Sequence, residues 1–248
     1  MSVLSNVISN PTPSAPKGII YAGPGVGKTT FAASPDQQII LDCENGAGSG
    51  AIETYLGKAI VRSPYLETWA EIENWLTAIQ NDKHDYRVVA IDTIDWLLRR
   101  LEEHVAGTQG AMNQTLNKSH GGYGNGKQVL KNYIYRCLLP MFDRIVNRGI
   151  ALLLLAHAKR TDITDTDGIT VEKTAPDLQD EYLNTFVEWA DFVCLARKDV
   201  DGNRTLLTAE SNRALAKNRY GMTPEIEFSW GSFTSALSAG IAQTKSKK

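Results

Sequence analysis

The chain has 248 residues, of which 42% are hydrophobic and 22% are charged, and its formal net charge at pH 7 is −2. A chain of this length can bury a full hydrophobic core without disulfides, and its composition excludes disordered, collagen-like and low-complexity proteins. The slightly acidic balance differs from the strongly basic character of many DNA-binding domains, so any contact with nucleic acid must come from a local patch. Three widely spaced cysteines argue against a zinc ribbon and a disulfide framework: Cys43, Cys137 and Cys194.

No apolar run is long enough to cross a bilayer, and the N-terminus lacks a signal-peptide pattern. We therefore expect a cytoplasmic protein with no membrane partner. The first sixteen residues are rich in Ser, Asn and Pro and are predicted to form a flexible arm that can add a strand to a neighbouring subunit. Residues 17–242 are predicted to form one core, and 243–248 a short basic tail.

Short apolar runs alternate with helical patterns throughout this core. Strands are predicted at 18–22, 37–43, 87–92, 151–157 and 191–196, followed by a strand-rich section that ends near residue 228. Apolar residues at helical spacing predict helices over 66–79 and 129–145, and a further helix is expected over 93–105. Alternation of this kind predicts an α/β fold with a mostly parallel central sheet and helices on both faces.

The clearest motif is AGPGVGKTT, which has the Walker A spacing with Ala22 where glycine is usual. Its glycines allow the backbone to turn so that N–H groups point at phosphate oxygens. Lys28 is expected to reach the β- and γ-phosphates, and the Thr29 hydroxyl to ligate Mg²⁺. The motif therefore predicts a nucleoside triphosphate site, whose binding residues are Gly23, Pro24, Gly25, Val26, Gly27, Lys28, Thr29 and Thr30.

Acidic residues follow two of the predicted strands. Asp92 comes directly after VVAI and is interpreted as the second Mg²⁺ contact, although an aspartate there can also cap the next helix. Asp95 is interpreted as a first-turn helix residue rather than a ligand. Glu44 follows the second strand, where Asp42 alternates with it, and is expected to orient or deprotonate the attacking water. The alternative for Glu44 is a solvated acid in a turn.

The order of Lys28, Glu44 and Asp92 resembles the RecA-type ATPase core, and the guanine-reading NKxD motif of GTPases is absent. This resemblance implies an ATPase that uses ATP and Mg²⁺, with Glu44 as its catalytic carboxylate. It also implies that His157, at the end of the next strand, contacts the γ-phosphate and reports it to a DNA-binding loop. RecA commonly has glutamine at that place, and the alternative is a strand-end histidine that faces solvent.

The segment KNRYG over 217–221 resembles the KNRFG motif of RadA-like proteins. That resemblance implies a catalytic role for Lys217 and Arg219 at the nucleotide of a neighbouring subunit, which requires a homo-oligomer, either a filament or a ring. A solvated basic strand is the alternative. The chain has no room for the extra modules of RadA or RecA, so it most closely resembles phage-encoded, RecA-like annealing proteins of the Sak type. An infected bacterial host is then expected.

Two segments are candidates for contact with single-stranded DNA. Residues 104–142 contain no Asp or Glu, and the loop within them is expected to hold a DNA strand by stacking and by phosphate contacts. A second loop over 158–175 begins with two cations but also carries three aspartates. A mobile surface loop is the alternative for both. The predicted contacts are Lys118, Tyr123, Lys127, Lys131, Lys159 and Arg160.

These features together predict a Mg-ATP-dependent recombination or annealing protein that binds single-stranded DNA as a multimer. Its ATP hydrolysis is expected to occur at subunit interfaces, to be weak and to be stimulated by DNA. A single-stranded-DNA-binding protein is a further candidate partner. Two other functions stay open: a RecA-fold helicase or translocase motor, and a nucleotide-gated loader of another DNA-binding protein.

Overall fold

The computed structural model describes residues 14–46, 50–107, 115–164 and 168–246. Most of the predicted N-terminal arm and the end of the predicted tail lie outside the described residues. Within the described ranges, no helix combines the length and apolar character that a membrane crossing requires.

The secondary structure alternates as predicted along the first two thirds of the chain. The strands are β1 (Lys17–Ala22), β2 (Gln38–Asp42), β3 (Val88–Asp92), β4 (Ala151–Thr164), β5 (Thr170–Pro176), β6 (Phe192–Lys198), β7 (Arg204–Leu207), β8 (Lys217–Asn218) and β9 (Glu225–Glu227). The helices are α1 (Lys28–Ala33), α2 (Ala51–Leu56), α3 (Trp69–Asn81), α4 (Ile94–Ala106), α5 (Asn125–Tyr133), α6 (Leu139–Asn147), α7 (Asp180–Trp189) and α8 (Trp230–Ser246).

One sheet holds all the strands of the described residues, in the order β2-β3-β4-β1-β6-β7-β9. The first five strands of this order are parallel, and their registers place Ala22, Asp92 and His157 close to one edge of the sheet. Strands β7 and β9 continue the sheet in antiparallel pairing, while β5 pairs with β4 and β8 with β6. The predicted α/β fold with a mostly parallel central sheet is confirmed.

Alternating residues of the central strands face two separate layers of helices. In β1, Ile19 and Tyr21 pack in the core that contains α3, α4, α6 and α7. Ile20 and Ala22 point to the other side, against α1 and α8. This period of two is the pattern expected of a strand buried on both faces, and it confirms the helices on both sides of the sheet.

Helix α1, which follows the phosphate loop, is fixed by aromatic side chains from the C-terminal part of the chain. The Phe31 ring stacks on Phe228 with 4.7 Å between ring centroids, and Trp230 and Phe233 contact it edge-on. The helix ends at Ala33 because Pro35 cannot continue its hydrogen bonds. The phosphate loop is therefore held between β1 and a helix that packs against this aromatic cluster.

The second predicted DNA loop, over 158–175, is for the most part not a loop. Strand β4 continues to Thr164 and pairs with β5 in an antiparallel hairpin, from Ala158 opposite Pro176 to Thr164 opposite Thr170. Threonine, isoleucine and valine recur along both strands, and these β-branched residues favour extended backbone. Residues 165–167 lie outside the described residues.

Two helical features also differ from the prediction. The helix expected over 129–145 is divided by a π-helical segment, Ile134–Leu138, which ends just before Pro140, a residue with no N–H to donate. Helix α8 follows the strand-rich section, and Gly240 lets it pack closely on the chain near β8. A Cβ at Gly240 would lie only 2.1 Å from the carbonyl oxygen of Tyr220.

Candidate nucleotide-binding site

The phosphate loop, residues 23–27, joins β1 to α1 at the carboxyl edge of the parallel strands. Gly25 and Gly27 have φ angles of 72° and 110°, a backbone conformation that residues with a Cβ rarely adopt. The Lys28 side chain is buried, and its Nζ donates to the carbonyl oxygen of Ala22 at 3.4 Å. The lysine ammonium thus lies within the loop that the sequence predicts to bind phosphate.

The two predicted Mg²⁺ contacts meet at this edge. The Thr29 hydroxyl donates to the Asp92 carboxylate at 2.6 Å. The pKa of Asp92 is raised to about 6, mainly because the carboxyl group is buried. The hydrogen bond from Thr29 lowers this pKa in part. The neighbouring Glu44 and Asp42 carboxylates raise that pKa further, and the Lys28 ammonium lowers it. A buried carboxylate among other acids, beside a hydroxyl, fits Mg²⁺, which prefers oxygen ligands.

A hydrogen-bonded turn orients Glu44. One oxygen of the Asp42 carboxylate accepts hydrogen bonds from the backbone N–H groups of Glu44, at 3.2 Å, and Asn45, at 2.7 Å. Asn45 has a positive φ of 63°, which asparagine tolerates better than most residues. The turn brings Glu44 back over the sheet edge, where its Oε1 lies 3.2 Å from Nε2 of His157.

Asp95 is the residue that sequence reasoning missed. Its carboxylate accepts from the backbone N–H of His157 at 3.2 Å and lies 2.8 Å from the ring Nδ1. The imidazole therefore stands between Asp95 and Glu44. A ring protonated on both nitrogens can donate to both carboxylates, whereas a neutral ring can donate to only one. No signal in the sequence separates Asp95 from an ordinary first-turn acid, because its partner lies far along the chain.

The KNRYG segment is bound to the end of α7 within its own subunit. The Lys217 ammonium donates to the carbonyl oxygens of Val187, at 2.7 Å, and Glu188, at 2.9 Å. The Arg219 guanidinium donates to Glu188 O at 3.1 Å and lies 3.4 Å from the Asp191 carboxylate. These contacts are the usual ones for cations at a helix C-terminus.

The same segment lies at the amino ends of the parallel strands, whereas the phosphate loop lies at their carboxyl ends. Lys217 pairs with Val193 near the start of β6, and β6 runs parallel to β1 from that end. The phosphate loop follows the other end of β1. Lys217 and Arg219 therefore do not reach the nucleotide site of their own subunit, and their predicted roles at a neighbour's nucleotide stay predictions.

The predicted DNA contacts fall into two groups. Lys118, Tyr123 and Lys131 are exposed, and the Tyr123 side chain is completely so. The other three lie within 2.6 to 3.5 Å of acids from the same chain: Lys127 with Glu181, Lys159 with Asp180, and Arg160 with Glu172. The fold therefore brings an acid of α7, Glu181, to the acid-free stretch, and acids of α7 and β5 to the two cations of the second segment. Residues 108–114 of the first predicted loop lie outside the described residues.

A family model described as an AAA domain matches residues 14–220. Strand β4 separates the strand that precedes the phosphate loop from the strand that ends in Asp92, and with the family match this order confirms the RecA type of P-loop fold. A crystal structure of a KaiC-like protein from the hyperthermophilic archaeon Pyrococcus horikoshii OT3 is similar at 16% identity and a TM-score of 0.41, with 79% of this chain and 78% of that chain covered. No curated protein matches the chain.

Proposed function

The chain belongs to the AAA-domain family, and on this premise we propose that it is a Mg-ATP-dependent ATPase that binds single-stranded DNA as a multimer and promotes annealing or recombination. The ATPase activity is inferred from one observation: Lys28, Asp92 and Glu44 lie together at the carboxyl ends of the parallel strands. They come from three separate strand ends, and the Glu44 and Asp92 carboxylates are close enough for one to raise the pKa of the other.

Each residue of this edge has a task in hydrolysis. The phosphate-loop N–H groups and the Lys28 ammonium bind the β- and γ-phosphates, and Thr29 and Asp92 hold Mg²⁺. Mg²⁺, when bound, neutralises charge on the phosphate oxygens. Glu44 takes the proton of the attacking water on its carboxylate. Because His157 holds Oε1 of Glu44, the orientation of this base depends on the histidine and on Asp95 behind it.

Assembly is supported by the position of the KNRYG segment. Lys217 and Arg219 lie too far from their own phosphate loop to act there, since β8 pairs with the opposite end of β6. In a filament or ring, such cations can face the nucleotide of the next subunit and offset charge in the transition state. Arginine fingers of this kind raise turnover by about 10³–10⁵.

Single-stranded DNA is supported as the partner by the segment that precedes α5. Tyr123 projects fully into solvent with a φ of 53°, in a stretch where Gly121, Gly122 and Gly124 also have positive φ angles. An exposed ring can stack on a base, and the exposed Lys118 and Lys131 can contact phosphates.

The test is fluorescence anisotropy of labelled single-stranded DNA with and without Mg-ATP across a salt series, followed by annealing of complementary strands. We expect tight binding that strengthens with nucleotide and falls steeply with salt. Tyr123→Ala should weaken DNA binding, and Tyr55→Ala is the matched control because Tyr55 is also an exposed tyrosine, 71% accessible, on helix α2. Absence of DNA binding at low salt with ATP hydrolysis intact would overturn the DNA part, and absence of hydrolysis with and without DNA would overturn the ATPase part.

A further inference from the structure

Arg204 lies against the phosphate loop of its own subunit. A Cβ placed on Gly27 would be 3.7 Å from Nη1 and 3.8 Å from Cζ of the Arg204 guanidinium. The sheet explains this position, because β6 runs parallel to β1 toward the phosphate loop and β7 begins where β6 ends, with Arg204 opposite Lys198. The β6–β7 hairpin therefore carries an arginine to the edge where the nucleotide is bound.

This guanidinium has no partner in the part of the chain that the structure describes. Its Nε is buried without a hydrogen-bond acceptor, and its other nitrogens take part in no ion pair among the described residues. Its neighbour Arg197 behaves differently, since it donates to Thr205 at 3.1 Å and to Glu225 at 2.8 Å. A buried donor that stays unpaired is unfavourable, so native structures rarely keep one without a reason.

The residue opposite adds to the positive charge. Lys198, which is exposed, is opposite Arg204 across the two strands, and like charges in directly opposed positions destabilise a sheet. Asp199, which follows Lys198 directly, does not offset these charges, because its carboxylate accepts hydrogen bonds from the N–H groups of Asp201, at 3.0 Å, and Asn203, at 2.8 Å, within the turn.

We infer that Arg204 binds a phosphate group of the nucleotide that occupies the phosphate loop of the same subunit. This inference rests on the proposed function, since it assumes that the loop binds a nucleoside phosphate. A guanidinium presents several donors in one plane, which suits phosphate oxygens, and a charged hydrogen bond of this kind is stronger than a neutral one. The site then has two cations from its own chain, Lys28 from α1 and Arg204 from β7.

The experiment is a titration of the full chain with fluorescent ADP and, separately, fluorescent GDP. Arg204→Gln should weaken binding of both nucleotides by about tenfold or more, because the phosphates are common to them. Arg204→Lys, which keeps the charge but not the planar fork, should fall in between. Arg197→Gln is the matched control, because this arginine lies on the same hairpin and its partners are Thr205 and Glu225. The affinity of Arg197→Gln for both nucleotides should stay at the wild-type value.

The outcomes separate this inference from the proposed function. Loss of binding in Lys28→Ala together with wild-type affinity in both Arg204 variants would overturn the role of Arg204 and leave the nucleotide site standing. If the wild-type protein bound neither ADP nor GDP, that result would overturn the nucleotide site itself. If Arg204→Gln weakened the binding of only one of the two nucleotides, that result would also contradict a phosphate contact.

A mixture of Arg204→Gln and Lys28→Ala subunits tests whether Arg204 acts within its own subunit. Mixing should not restore nucleotide binding, and restoration would show that Arg204 acts on the nucleotide of a neighbouring subunit. Circular dichroism and thermal unfolding check that the variants fold.

Discussion

The two ends of strand β6 carry cations of different kinds. At its carboxyl end, Arg204 of the β6–β7 hairpin lies beside Gly27 of the phosphate loop and has no partner among the described residues. At its amino end, Lys217 and Arg219 are bound to the last carbonyls of α7 and to Asp191. The sheet keeps these two groups apart, so that only the first can act on a nucleotide in its own subunit.

This difference shows how the direction of a parallel sheet separates two groups of cations. All parallel strands end at the same edge, which collects the residues of one site. The cations at the amino ends of the strands, Lys217 and Arg219, lie away from that site and contact the end of α7. Substitutions at the two ends of the strands should therefore have different effects on turnover and on nucleotide affinity.

The largest effect is expected at the amino edge. The double variant Lys217→Ala with Arg219→Ala should lower ATP turnover by about 10³-fold while ADP affinity stays unchanged, because in the proposed multimer these cations act on the transition state in a neighbouring subunit. Steady-state hydrolysis and ADP titration measure the two quantities. A fall in ADP affinity as large as the fall in turnover would contradict this prediction, since it would mean that the segment contacts the nucleotide of its own subunit. Mixing with Lys28→Ala subunits, which still supply both cations, should recover part of the turnover.

The next effect is expected at the carboxyl edge. Glu44→Gln should reduce turnover by about 10²-fold or more and leave ATP binding intact, since the amide cannot take a proton from water. Single-turnover hydrolysis and ATP titration check this, with the exposed Glu67→Gln as the control. Unchanged turnover in Glu44→Gln would remove this residue from its assigned role.

Asp95→Asn should have a smaller effect. The substitution keeps the size of the side chain but removes the negative charge that holds His157, so the orientation of the ring and of Glu44 becomes less fixed. We expect turnover to fall by about tenfold, the value of one charged hydrogen bond, with no change in nucleotide affinity. A change in affinity instead of turnover would show that Asp95 supports the binding loop rather than the base.

The smallest effect concerns stability. Gly240→Ala places a methyl group 2.1 Å from the Tyr220 carbonyl oxygen. The chain must shift to avoid this clash, and the shift should lower the free energy of unfolding by about 1–3 kcal/mol. Urea denaturation measures it. Gly231→Ala is the matched control in the same helix, because a Cβ there meets no atom within 4 Å. ADP affinity should not change in either variant, since the strain lies at the amino edge.

Local sequence signals were enough for most of the fold. The five apolar runs predicted the parallel strands, and the phosphate loop was evident from Gly25, Gly27, Lys28 and Thr29, because phosphate binding depends on consecutive backbone groups. The pairing of Thr29 with Asp92 could also be expected, since both follow strands of one parallel sheet.

The remaining features depend on contacts between distant parts of the chain. Asp95 and His157 are 62 positions apart, and Arg204 resembles any other strand residue until the sheet places it beside Gly27. Helix α8 was missed because its sequence is rich in Gly, Ser and Thr, which have modest helix propensity, and packing against Phe31 outweighs that preference.

Strand β4 has a mechanical consequence. Its fourteen residues run without a break from the core, past His157, to the paired hairpin beyond the sheet edge, and an extended strand of this length spans about 46 Å. Strand β4 pairs with β3 and β1 in the core, as far as His157, and with β5 from Ala158 onward, so His157 lies where the two paired parts meet. We expect that a displacement of the paired strands β4 and β5 shifts this histidine, and with it the carboxylate of Glu44.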